Sequence, residues 1–263
     1  MMHFLEDQAN LLPSSIKDLQ ARRHLRVSVG PILALGLLQL PVCMAYNLVM
    51  AITTDFQSTT YTTCNAFNIF PTTSAAAKSQ HKVWALACWL EFPFLIASAW
   101  LQFRFYRRNL RRPVRSVGCL MAIIMAVSSS SVLLWGTFPQ EDGDSLLHIT
   151  IAVSLFVSCA IYMAGSFVCA KYYMSDRSGQ LHEEFSLRLK SGLVFTYYVW
   201  VVVMWIFYFI HQKFCFPLAY SVFGMGEFIS CECFFIYLCT AYFDFYHVYI
   251  CYDQRLGFFL SEM

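Results

Sequence analysis

The stretch Gly192–Ile210, GLVFTYYVWVVVMWIFYFI, runs for 19 residues without a charge. As a helix it would be roughly 28 Å long, close to the ~30 Å hydrocarbon core of a bilayer. A core helix of a soluble domain would show a polar face at 3.6 spacing, whereas this stretch is apolar nearly all round. Lipid is therefore its solvent. Five further segments have the same character: about Val27–Ile52, Val83–Phe103, Ser116–Phe138, Leu146–Ala170 and Pro217–Phe243. The composition agrees, with 58% hydrophobic and only 13% charged residues, against about 25% charged in a soluble domain. The 25 Phe suit hydrocarbon and the 15 Tyr its borders. The expected fold is an all-α, polytopic bundle of six transmembrane helices. It is flanked by tails at 1–26 and 246–263, with the membrane domain at 27–245. No repeat, second domain or low-complexity linker is visible, and the first 26 residues contain no apolar core of a cleavable signal peptide. A net charge of +2 gives no footprint for nucleic acid.

The basic residues alternate across the spans. Lys17, Arg22, Arg23 and Arg26, the run Arg104 to Arg115, then Lys171, Arg177, Arg188, Lys190 and Arg255 fall on one side. Only Lys78, Lys82 and Lys213 fall on the other. Loops rich in Lys and Arg stay in the cytosol, so both termini are expected there and three loops in the lumen. Those loops are about Thr53–Lys82, the short acidic Pro139–Ser145, and His211–Phe216. No Asn-x-Ser/Thr acceptor for N-glycosylation occurs.

Most of the 11 cysteines lie inside spans, where Cys behaves as a small apolar side chain. Only Cys64 and Cys215 fall in lumenal loops, where oxidation is permitted. A Cys64–Cys215 bridge is the reading offered here; two free thiols are the alternative. Cys251, just past the last span, is a candidate for palmitoylation.

Ionisable groups inside a span are costly and usually face the bundle interior. Glu91, His148, Glu227 and Glu232 stand out, with His211 and Asp244 at span ends. Glu227 and Glu232 are five residues apart and point about 140° away from each other, so they do not form a carboxylate pair. Gly224, Glu227 and Cys231 share a stripe that would turn inward. Glu227 reads equally well as a neutral acid bonded to a neighbouring helix and as a functional group. His148 and His211 lie on the same, lumenal side at headgroup depth, either as interfacial hydrogen-bonders or as working bases. Glu91 sits in Trp89-Leu90-Glu91-Phe92-Pro93, where Pro93 should kink the helix. Ser128–Ser131 reads as packing, with Ala122, Ala126 and Ser130 as a small-xxx-small row.

Several signatures are absent. There is no H-E-x-x-H, no G-x-S-x-G and no His-x4-Asp. Cys231-x-Cys233 is too tight and too buried for zinc. Neither a metal nor a cofactor is expected.

The stretch Thr59–Ala76, TTYTTCNAFNIFPTTSAA, followed by Val83-Trp84, resembles the first lumenal loop of the Frag/DRAM/Sfk family. It is most similar to the branch concerned with GPI anchors. His148, His211 before Cys215, Glu227, and Thr240-Ala241-Tyr242-Phe243-Asp244-Phe245 agree in order and spacing. The resemblance covers roughly Leu25 to Phe245. It implies a multi-pass protein of the Golgi and ER membranes, required when a GPI anchor is re-acylated with a saturated chain. Membrane lipids, GPI-anchored proteins and other GPI-remodelling membrane proteins are the implied partners. Whether the family member is itself the acyltransferase stays open. The implied functional positions are Cys64, Asn68, Pro71, Ser74, His148, His211, Cys215, Glu227 and Asp244. Acyl transfer to a hydroxyl needs a base near headgroup depth, which suits His148 or His211 with Glu227 orienting one of them. The chain also departs from the pattern. The family commonly has a His near Glu91 and an Arg where Phe94 stands, an acid within the serine run, and an acid at Ile149. A non-enzymatic membrane organiser, or a divergent paralogue without remodelling activity, is the alternative.

Overall fold

The computed structural model describes residues 25–62, 64–138, 145–172, 181–253 and 257–262. Residues 1–24, most of the loop 139–145 expected in the lumen, and Arg177 and Arg255 among the charges used for orientation lie outside the described residues. Strand β1 (Leu25–Ser28) runs directly into α1 (Val29–Leu37), and α2 (Gln39–Thr53) completes the first span. The following loop holds two short helices, α3 (Phe56–Thr60) and α4 (Thr73–Ser79). Then come α5 (His81–Asn109), a 3-10 turn at Arg112–Val114, α6 (Arg115–Thr137), α7 (Ser145–Tyr172), α8 (Leu181–Phe214) and α9 (Ala219–Cys239). A last turn of helix, α10 (Ala241–Asp244), leads to strands β2 (Val248–Asp253) and β3 (Gly257–Glu262). Six helical segments are long and apolar enough to cross a membrane.

Two helices are longer than their apolar stretches. α5 continues to Asn109, carrying Arg107 and Arg108 in its last turn, where cations offset the helix dipole. α8 begins at Leu181 rather than near Gly192, and its first turns carry an exposed Glu184–Arg188 pair at i, i+4.

Successive spans pack side by side, and the sixth returns to the first, closing a ring. The sixth span is 56% buried and the fifth only 11%, so the sixth is the inner wall and the fifth the lipid-facing rim. Trp84 and Trp135 meet edge to face at 5.1 Å between the second and third spans. The serine run joins the third span to the fourth: Ser128 Oγ donates to Ser158 Oγ (2.9 Å), and Ser131 and Ser154 hydroxyls lie 3.1 Å apart. The expected Ala122–Ala126–Ser130 row is not the seam. Ser130 is exposed and returns its hydroxyl to Ala126 O; the buried face is Met121, Met125, Ser128 and Val132.

The first span is broken between α1 and α2. Pro41 has no N–H for the ladder, and the free groups at the break are met by side chains. Leu40 N donates to Glu91 Oε2 at 2.8 Å, and Gln39 Nε2 donates to Gly36 O at 2.9 Å. The ladder resumes with Val42 N to Leu38 O. Glu91, fully buried, thus caps the first turn of α2 from the neighbouring span.

The C-terminal tail is not an irregular extension. β2 pairs antiparallel with both β1 (Ser28↔Tyr249) and β3 (Asp253↔Gly257). This sheet places the start of the first span beside the end of the last. Cys251 is fully buried within it, which removes the palmitoylation reading, since acylation needs an accessible thiol.

Candidate functional site

At the end of the bundle opposite the sheet, the first loop folds back onto the sixth span. Cys64 and Cys215 are joined in a disulfide with Cα atoms 5.7 Å apart. Asn65 then turns the chain at φ 52°, a left-handed conformation that Asn tolerates. From Phe67 to Ser74 the loop follows a stripe of α9 residues spaced three apart. Leu218 N donates to Phe67 O at 2.9 Å. Ser221 Oγ accepts from Ile69 N (2.9 Å) and Phe70 N (3.2 Å) and faces Asn68 Oδ1 at 3.4 Å. Gly224 comes next, and a Cβ there would stand 2.7 Å from Pro71 O. Glu227 completes the stripe: its Oε2 accepts from Thr73 N at 2.8 Å and its Oε1 from Ser74 Oγ at 3.2 Å.

Physical necessity explains this arrangement. Irregular backbone buried among apolar helices must find partners for its N–H groups. Pro71 has none to satisfy, Ser221 and Glu227 take three of the others, and Thr72 Oγ1 caps α4 by accepting from Ala75 N. The loop side of α9 is therefore Ser221, Gly224 and Glu227, with Leu218 just before the helix, and the anticipated Gly224–Glu227–Cys231 stripe is buried, as expected.

His148, half-buried near the start of α7, brings Nε2 to 3.0 Å from Ser74 Oγ. Its buried Nδ1 has no hydrogen-bond partner among the described residues. Glu227, Ser74 and His148 thus form one hydrogen-bonded chain from the sixth span through the loop to the fourth. With Nε2 protonated, His148 donates to Ser74, Ser74 donates to Glu227, and Nδ1 is left as an acceptor.

His211, 3% exposed, lies against the Tyr220 ring with centroids 4.7 Å apart, and its Nδ1 also lacks a hydrogen-bond partner among the described residues. No hydrogen bond among the described residues joins it to Glu227 or His148. Asp244 belongs to the sheet end, about 25 Å along the helical segment from Glu227. There it accepts from Lys190 Nζ at 2.5 and 2.6 Å and from Ser186 Oγ at 3.2 Å. Asn68, Pro71 and Ser74 all lie in the clamped loop. Sequence reasoning missed Ser221, whose i−3 and i−6 spacing from Gly224 and Glu227 was the available signal. It also counted Lys190 only as an orienting charge, although its side chain is 7% exposed and ion-paired.

A family model described as Frag1/DRAM/Sfk1/Cwh43P N-terminal domain matches residues 29–248. A Drosophila melanogaster protein called Post-GPI attachment to proteins factor 2 is 28% identical over 240 residues, 88% of this chain and 91% of that protein. Its namesake in Drosophila pseudoobscura pseudoobscura is 27% identical over 244 residues, with the same coverage. No solved structure matches the chain. The matched range takes in all six spans, the clamped loop and the Glu227–Ser74–His148 chain, and the protein belongs to the Frag1/DRAM/Sfk1/Cwh43P N-terminal domain family.

Proposed function

We propose that this protein acts in the maturation of GPI-anchored proteins, as a lipid-remodelling factor of the ER and Golgi membranes needed when the anchor is re-acylated with a saturated chain. The similarity to two proteins called Post-GPI attachment to proteins factor 2 supplies the pathway. The Glu227–Ser74–His148 chain is the observation that supports chemistry. Acyl transfer to a glycerol hydroxyl requires that the alcohol lose its proton as its oxygen bonds to the acyl carbon. In this reading the half-buried His148 ring takes that proton, and Glu227 holds the ring through Ser74. The leaving group of the acyl ester or thioester donor then departs with a proton from His148. His211, buried at the same end with a ring nitrogen that has no hydrogen-bond partner among the described residues, is the second candidate base.

The specific observation favouring a non-enzymatic organiser is that Glu227 also holds the loop backbone through Thr73 N. The two readings differ in outcome. In cells lacking the protein, His148→Ala and Ser74→Ala should each leave the saturated-chain fraction of GPI anchors near the null level, with normal protein abundance. Full rescue by His148→Ala and His211→Ala alike would remove both bases. Rescue by Glu227→Gln as well would favour the organiser.

A further inference from the structure

The lipid-facing side of α5 runs unbroken into a cluster of arginines. Leu86, Trp89, Leu90, Ile96 and Trp100 are exposed, and their helical spacing continues into Arg104, Arg107 and Arg108, also exposed. Arg104 lies over the Trp100 ring at 5.0 Å, and Trp favours the border between hydrocarbon and headgroups. Arg107 and Arg108 stand roughly 5 Å further along the helix, at headgroup depth. Arg111 and Arg112, exposed in the turn that follows, extend the patch. Between Arg104 and Arg115 the chain has six arginines, no lysine and no acid. Phe105 meets Phe245 at 5.8 Å, which puts the patch at the sheet end of the bundle.

The backbone that displays these arginines is held from beneath. Buried Tyr106 and Leu110 occupy the space that a side chain at Gly118 of α6 would need. Leu110 N donates to Tyr106 O and Val114 N to Arg111 O, both at 3.1 Å, and Arg115 Nη2 donates to Leu110 O at 3.5 Å. Two other cations at this end are used within the protein, Arg188 on Glu184 and Lys190 on Asp244. Among the described residues no ion pair reaches Arg104, Arg107, Arg111 or Arg112. Lysine would serve orientation as well as arginine does. What arginine adds is a fork that takes two phosphate oxygens at once. A row of forks suits a phosphate monoester, with roughly −2 charge and three acceptor oxygens, better than an ordinary phosphodiester headgroup.

We propose that this face binds a phosphoinositide from the leaflet on the sheet side, its acyl chain along Leu90, Ile96 and Trp100 and its phosphorylated headgroup on Arg104, Arg107 and Arg111. Arginine-rich segments beside a span attract such lipids. The site lies at the opposite end of the bundle from the Glu227–Ser74–His148 chain and does not depend on the remodelling reading.

The test is native mass spectrometry of the full-length protein in detergent, titrated with dioleoyl phosphatidylinositol 4-phosphate or dioleoyl phosphatidylserine. The phosphoinositide should bind at least fivefold more tightly. The triple variant Arg104→Gln/Arg107→Gln/Arg111→Gln should lose that binding by roughly tenfold or more with its thermal midpoint unchanged. Lysine at the same three positions keeps the charges that set topology, and should still weaken binding severalfold. Soluble inositol 1,4-bisphosphate, which has the phosphates without the chains, should bind far more weakly than the lipid. Unchanged affinity in either triple variant, equal affinity for phosphatidylserine, or equal affinity for the soluble headgroup would each overturn the site.

Discussion

Glu91 has one carboxylate oxygen on the Leu40 amide, and its other oxygen has no hydrogen-bond partner among the described residues. Its position in the second span marked it as a residue with a task. The task itself was hidden, because it depends on a helix break in another span. Glu91→Ala would strand the Leu40 N–H in an apolar surrounding, at a cost of about 1–3 kcal/mol. Glu91→Gln keeps an acceptor oxygen and should recover most of that loss. Thermal midpoints of the purified variants separate the two. Equal midpoints for Glu91→Ala and the parent protein would mean that Gln39 or lipid serves the break instead. Lys190 illustrates the same limit of sequence reading. A lysine just before an apolar stretch reads as a solvated, orienting charge. Only the fold brings Asp244, 54 residues away, onto it.

At the scale of elements, the apolar stretches were legible because 20-odd residues without a polar face admit few alternatives. The loop was legible as a motif and not as a shape. Its backbone donors needed acceptors, but the sequence does not say which helix supplies them. The answer is a helix face with Ser221, Gly224 and Glu227 three residues apart, where the absence of a side chain at Gly224 admits the Pro71 carbonyl. Gly224→Val places a branched side chain where that carbonyl lies. Overpacking of this kind costs about 1–3 kcal/mol, and it acts first on the clamp. The amides of Ile69, Phe70 and Thr73 should therefore exchange with deuterium roughly tenfold to a hundredfold faster, while those in the middle of α9 keep their protection. Uniformly faster exchange across the bundle would show that the loop and the spans unfold as one unit.

For the whole molecule, the sheet and the disulfide mark opposite ends. β1 and β2 bring the beginning of the first span against the end of the sixth, which an even number of crossings demands. The Cys64–Cys215 bridge spans 151 residues of sequence and ties the loop to the turn between the fifth and sixth spans. The direction in which this body sits in the membrane rests on charge: the arginines around Arg107 belong to the sheet end, and Lys213 to the disulfide end. If loops rich in Lys and Arg remain cytosolic, the sheet faces the cytosol, and the clamped loop with His148 faces the lumen. Single cysteines at the exposed positions Arg107 and Lys213 test this in cells. An impermeant maleimide should label Arg107→Cys once the plasma membrane alone is opened. It should reach Lys213→Cys only after the internal membranes are dissolved. The reverse pattern would put the Glu227–Ser74–His148 chain on the cytosolic side, away from the lumenal leaflet that carries GPI anchors, and the remodelling reading would fall with the orientation.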